Sequence, residues 1–230
     1  MKVFWIMALI SLADRIAVAD PSWQQALAQM PLARPAIELN HSNCVTLLLD
    51  SFQSNAVVKA LVFMPGATDE IDFFRRARAH LTNSNPSLLN AITALTNQTY
   101  VQVRFETPLL ILYTVEDPTN VVATIKSTST AGKLHRQVIP RRIELRDADW
   151  GDVHDALDKD VSIGLSPRGN SPDSWHFYRH NFAGCGLTQW ELLETLALAG
   201  KTTFTVHWLS ASFEPDRRQS APPTLSQFPR

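Results

Sequence analysis

Cysteine is nearly missing from this chain: Cys44 and Cys185 are the only two. That excludes a disulfide-dense framework and leaves room for one bridge at most. Glycine is scarce too, at 8 residues beside 14 prolines, which suits several turns but rules out a fibrous repeat. A charge excess of either sign is missing: 21 Lys and Arg face 22 Asp and Glu, a net charge of -1. The chain therefore lacks the overall basic character of a nucleic-acid binder, and no nucleic-acid partner is expected. The apolar run from Val3 to Ala13 is too short to cross a bilayer comfortably. What remains is a 230-residue chain, 45% hydrophobic and 19% charged, with the composition of a packed globular protein.

The first residues have a purpose of their own. Lys2, the apolar run and the segment ending Ala17-Val18-Ala19 match the three regions of a secretory signal peptide, with cleavage expected after Ala19. Residues 1–19 are thus assigned to the signal, and the protein is expected to be exported, periplasmic or secreted. In an oxidising compartment Cys44 and Cys185 become a disulfide candidate, worth roughly 4–5 kcal/mol in the loop-entropy picture. The competing reading is two thiols packed as small apolar residues.

Two stretches resemble each other. NPSLLNAITALTNQTYVQVRF starts at Asn85 and TQWELLETLALAGKTTFTVHW starts at Thr188, 103 positions later. Asn85-Pro86 reads as an N-cap and first helical residue, and Thr188 with Glu191 as a capping box. Asn97 and Gly200 read as the matching helix ends. Behind each helix the period changes to two, with Val101, Val103 and Phe105 in one strand and Phe204, Val206 and Trp208 in the other. The same register pairs Gly66 with Gly169 and Phe74-Arg75-Arg76 with Phe177-Tyr178-Arg179. Upstream, Val45, Leu48, Leu49 and Phe52 make a helical stripe before an apolar strand, Val57 to Met64. Trp150, Val153 and Leu157, capped by Asp149, make another before Val161 to Leu165.

The fold class expected is α+β, in two similar small helix-strand-strand-helix-strand units arising by internal duplication. The first unit spans 20–115 and the second 149–213. Residues 116–148 are read as connecting strands, with Thr124 to Gly132 as a hairpin tip or linker between strands at 121–125 and 138–145. The tail 214–230, with few apolar anchors, is read as disordered.

The paired helix–turn–strand stretches resemble the short N-terminal modules of secretins and TonB-dependent receptors. The resemblance covers about forty residues in two copies and implies a periplasmic interaction domain without catalytic residues.

Motifs that carry chemistry fail at identifiable positions. His176 and His180 stand four apart, a spacing that lets two imidazoles share a metal, with His154, Asp155 or Cys185 as third ligand. The zinc-protease pattern needs Glu after the first His, and Phe177 stands there. Gly200-Lys201-Thr202 ends like a P-loop but has Thr195 in place of the first glycine and runs from helix to strand. Gly164-Leu165-Ser166-Pro167-Arg168 lacks the second glycine of a nucleophile elbow and reads as a turn. The cations Arg75, Arg76, Arg78, Arg136, Arg141 and Arg142 face a run of aspartates from Asp147 to Asp160, a pattern for internal pairing.

The sequence therefore points away from an enzyme and toward a non-catalytic binding protein with no cofactor. Its partner is expected to be another envelope or extracellular protein. A metal-dependent hydrolase using His176 and His180, and a small-ligand sensor, are the alternatives.

Overall fold

The computed structural model describes residues 21–64, 77–114, 123–167 and 179–215. The signal-peptide segment, Gly66, Gly169, Phe74 to Arg76, Phe177 and Tyr178 lie outside them. The chain is α+β, as expected. Its elements come in two successive sets. The first comprises α1 (Pro21–Ala28), β1 (Glu38–Asn40), α2 (Cys44–Ser51), β2 (Ala60–Met64), β3 (Arg78–His80), α3 (Leu88–Gln98), β4 (Gln102–Glu106) and β5 (Leu109–Tyr113). The second comprises β6 (Ala123–Ile125), α4 (Thr128–Leu134), β7 (Val138–Ile139), β8 (Ile143–Ala148), α5 (Trp150–Leu157), β9 (Gly164–Pro167), β10 (His180–Gly184), β11 (Leu187–Thr188), α6 (Gln189–Ala199), β12 (Thr202–Val206) and β13 (Ser210–Pro215).

Pairing follows the same order in both sets. β1 is antiparallel to β3, and β8 to β10. β4 is antiparallel to β5, and β12 to β13. β2 is parallel to β5, and β9 to β13. A single bridge from Pro31 to Ser87 stands where β7 pairs with β11.

The sets differ in two pairings: β12 takes β6 on the side where β4 has no strand among the described residues, and β2 takes β10 where β9 has none. β10 lies antiparallel on the outer edge of β2, completing a five-stranded sheet in the order β4-β5-β2-β10-β8. β9, which corresponds to β2, closes a four-stranded sheet β6-β12-β13-β9, and among the described residues no strand pairs with its outer side.

The five-stranded sheet separates two cores. Leu61, Phe63, Leu110 and Leu112 face α1, α2 and α3, while Ala60, Val62, Met64, Ile111 and Phe182 face α4, α5, α6 and the four-stranded sheet. With both faces covered, β2 and β5 read as unbroken apolar runs, ALVFM and LLILY. α6 lies in the core between the two sheets and is buried almost all round, including Trp190, Leu192, Leu193 and Leu196. Lys59, just before β2, donates to both carboxylate oxygens of Glu191 at 3.0 Å and ties the first set to α6.

Several sequence expectations need correction. α3 is capped by Ser87, whose hydroxyl accepts from Asn90 N, and not by Asn85. Leu32 N donates to Pro86 O and Leu88 N to Met30 O, so the chain is held extended as far as Ser87. Thr188 and Glu191 do form the expected capping box. The two caps are therefore 101 positions apart, and α3 and α6 keep that spacing through their full 11 residues. α3 also runs past Asn97, to a cap at Thr99.

Residues 124–132 are not a hairpin tip: Ser127 accepts from Thr130 N and starts α4. The flanking strands do not meet, since β6 pairs parallel with β12 and β8 pairs with β10. Gly164 to Pro167 is strand β9, because Gly164 N is bonded to Leu209 O and the segment runs beside β13. Glu214 and Pro215 belong to β13, and the rest of the tail lies outside the described residues. Trp208 is not an inward strand position. β12 ends at Val206, and Trp208 sits in the following turn with 75% of its surface exposed.

Candidate functional site

His180 is the most unusual ionisable group of the described residues. It opens β10, where the ladder with β8 shifts register between His180 and Phe182. The bulge frees Asn181, whose Oδ1 accepts from Asp147 N at 2.8 Å, and Asp147 is left-handed with φ 47°. Arg179 donates to Asp147 O at 3.0 Å. These contacts fix the carbonyl of Ala148, 3.1 Å from His180 Nδ1. A carbonyl only accepts, so the proton sits on Nδ1 and Nε2 carries the lone pair.

Nε2 points at the end of α6. Gly200 closes that helix with φ -93°, so the left-handed conformation is not what requires glycine there. Space is: a β-carbon at 200 would lie 2.5 Å from Nε2. The left-handed residue is the next one, Lys201, at φ 51°. Both non-glycine residues with positive φ among the described residues thus adjoin the two groups that grip this ring. The Trp150 ring meets the imidazole edge-on, with centroids 4.8 Å apart, and packs on Phe213 at 4.9 Å.

His180 is fully buried, and burial lowers its pKa to about 4, outweighing the Ala148 hydrogen bond and the Asp149 charge. Nε2 and Thr202 Oγ1 are buried without a hydrogen-bond partner. In this arrangement neither ring nitrogen of His180 is open to a metal ion: one is bonded to a carbonyl and the other abuts a backbone. The ring instead locks β8, α5 and the end of α6 together.

The remaining ligand candidates are scattered. His176 lies outside the described residues. His154 and Asp155 are exposed neighbours on α5, 3.9 Å apart. Cys185 donates to Pro140 O at 3.2 Å. Among the described residues no group of three His, Cys, Asp or Glu is placed to hold a metal. The disulfide expectation is overturned as well: Cys44 and Cys185 are free thiols. Cys44 is buried in the core of the first set, where burial pushes its thiol pKa up, while Cys185 follows β10 in the turn beside Pro140.

Of the pairs expected between Arg75, Arg76, Arg78, Arg136, Arg141 or Arg142 and the aspartate run, the described residues show one, Arg141 with Asp160. Arg142 binds Glu144, and Arg146 bridges Glu144 and Asp50. Asp149 and Asp152 are spent on the N-terminus of α5. Arg142 also donates to Leu49 O and Phe52 O at 2.8 and 2.7 Å, capping the C-terminal end of α2 from the residue before β8. A second polar group lies on α6: Trp190 Nε1 donates to Glu194 at 2.7 Å and His135 stacks on Trp190 at 4.3 Å. Burial raises the Glu194 pKa, with Trp190 and His135 acting against it.

The open features are sheet edges and one turn. β2 is buried throughout, whereas β9 has Gly164 exposed and Leu165, Ser166 and Pro167 half-buried. β3 is treated differently. Leu81 N bonds Ile37 O, so the His80 backbone faces away from β1, and the Gln98 side chain takes both its N–H and its C=O at 2.9 Å. Gln98 thereby stands in for a neighbouring strand. No helix of the described residues is long and apolar enough to cross a membrane. Compared with family models, curated proteins and solved structures, the chain matches none.

Proposed function

We propose that this chain is an exported, non-catalytic interaction protein, built from two copies of one α+β unit, that binds a protein partner along the outer edge of β9. The observation that carries the reading is the unequal fate of two corresponding strands. β2 receives β10 on its outer side, while β9 has no strand there among the described residues. An open strand edge is a template for a further strand, with main-chain bonds giving affinity and alternate side chains giving specificity. β4, β6 and β8 are also outermost in their sheets, but β9 is the edge whose counterpart, β2, is filled by a strand, and the edge of β3 is occupied by Gln98.

Duplication is supported by the matched order and pairing of the two sets and by the constant spacing of 101 from Ser87/Thr188 through both terminal hairpins. Export rests on the N-terminal pattern of charge, apolar run and Ala-x-Ala. The resemblance to secretin and receptor modules agrees with a partner in the cell envelope.

A photoreactive side chain at position 166, on β9, tests the binding site in the exported protein. A discrete adduct from 166 and none from exposed position 93 on α3 is the expected result. Absence of any adduct at 166 when 93 gives one would sink the edge as the binding site.

A further inference from the structure

The turn between β12 and β13 displays Trp208 and Leu209, 75% and 81% exposed, beside Ile125 at 47%. Their backbone is fixed. His207 N donates to Ser210 O at 2.8 Å, Gly164 N to Leu209 O at 2.9 Å, and Thr130 Oγ1 to Trp208 O at 3.1 Å. Ile125 is paired with Val206, and Lys126 N donates to Val206 O at 2.9 Å. Two large apolar side chains are therefore held outward on a rigid, convex turn.

Cations lie on the neighbouring β6–α4 segment. Residues 118–143 contain Lys126, Lys133, Arg136, Arg141 and Arg142 and not one Asp or Glu, although the whole chain is close to neutral. Arg141 and Arg142 are engaged with Asp160 and Glu144. Lys126, Lys133 and Arg136 form no ion pair among the described residues. Lys126 follows Ile125, and Lys133 lies one helical turn beyond Thr130, on the same side of α4. Arg136 folds back along α4, its Nη1 3.8 Å from where a Gly132 β-carbon would stand. On β6, α4, β9, β12 and β13 the only carboxylate is Glu214, paired with Thr203 at the end away from the turn.

We propose that this surface docks on an anionic lipid bilayer, with Trp208 and Leu209 entering the headgroup region and Lys126, Lys133 and Arg136 meeting lipid phosphates. A protein partner for a convex apolar knob needs a matching cavity, whereas a bilayer interface accepts it without one. Tryptophan with neighbouring lysine is the pairing that interface favours. The inference stands apart from the β9 edge: one surface holds the protein at the membrane, and the other binds the partner.

The test is co-sedimentation of the full chain with vesicles of phosphatidylglycerol and phosphatidylcholine, against vesicles of phosphatidylcholine alone. Binding to the anionic vesicles, weakened by salt, is expected. Trp208→Ala with Leu209→Ser should lose about tenfold or more, and Lys133→Gln about fivefold. These side chains are exposed, so the variants should keep the wild-type melting temperature, which separates lost binding from lost folding. Quenching by brominated lipid should fall in Trp208→Phe. Equal binding to both vesicle types, or anionic binding that survives all three substitutions, overturns the proposal. So does a photoreactive residue at 208 that traps a protein while vesicles go unbound.

Discussion

Gly200 lies against the imidazole of His180 so closely that a single added β-carbon would stand 2.5 Å from Nε2. The backbone at 200, with φ -93°, would accept alanine. Gly200→Ala should therefore destabilise through the clash alone, by about 1–3 kcal/mol. Chemical denaturation of Gly200→Ala, His180→Ala and the double variant checks this. The double variant should lose less than the sum of the singles, because the smaller side chain relieves the clash.

The same ring makes stability depend on pH. The folded-state pKa of His180 is about 4, below its ordinary 6.5, so between those values the unfolded chain binds more protons. The contribution is complete above pH 6.5 and is lost as pH falls toward 4, a change on the order of 3 kcal/mol. In His180→Phe that part of the pH slope should vanish, read from denaturation midpoints between pH 7 and 4.

Glu194 acts with the opposite sign. Its pKa is raised, mainly by burial, so its contribution is present at low pH and lost as pH rises through the folded-state value. Glu194→Gln keeps an acceptor for Trp190 Nε1 and should be at least as stable as wild type at pH 7, with any gain disappearing in acid. Thermal melting at both pH values measures it.

Gln98 shields the outer edge of β3. Gln98→Ala removes the side chain that occupies the His80 N–H and C=O and should increase self-association, because an unpaired edge recruits another. Sedimentation velocity of the variant against wild type, at matched concentration, gives the answer.

Arg142 links the two sets through carbonyls at the end of α2 while holding Glu144. Arg142→Lys cannot reproduce that fork and should cost about 1–2 kcal/mol by denaturant unfolding, despite keeping the charge.

Local signals were legible in the sequence. Thr188 with Glu191, and Asp149 before Trp150, cap their helices as side-chain chemistry requires. Long-range pairing was not. Asn85-Pro86 has a good local cap, but hydrogen bonds to Met30 and Leu32 hold that stretch extended and hand the cap to Ser87. Residues 124–132 look like a linker by composition, yet Ser127 caps α4 and Leu134 is buried in the core. The bulge that buries His180 depends on β8, which lies far away in sequence. Trp208 continued the alternation of Phe204 and Val206, and only the turn closed by His207 and Ser210 puts it in solvent. Two consecutive large apolar residues, Trp208 and Leu209, were the signal that the alternation had ended.

Hydrogen exchange tests the open edge most directly. β2 is flanked by β5 and β10, so its amides should exchange only through global unfolding. On β9, bonded on one side to β13, the amide turned away from that partner should exchange orders of magnitude faster under the same conditions. Fast exchange within Leu165–Ser166, slowed when the partner binds, is what the account predicts. Protection of the Leu165 and Ser166 amides equal to that of β2 in the free protein would mean that the edge is already filled, and would contradict it.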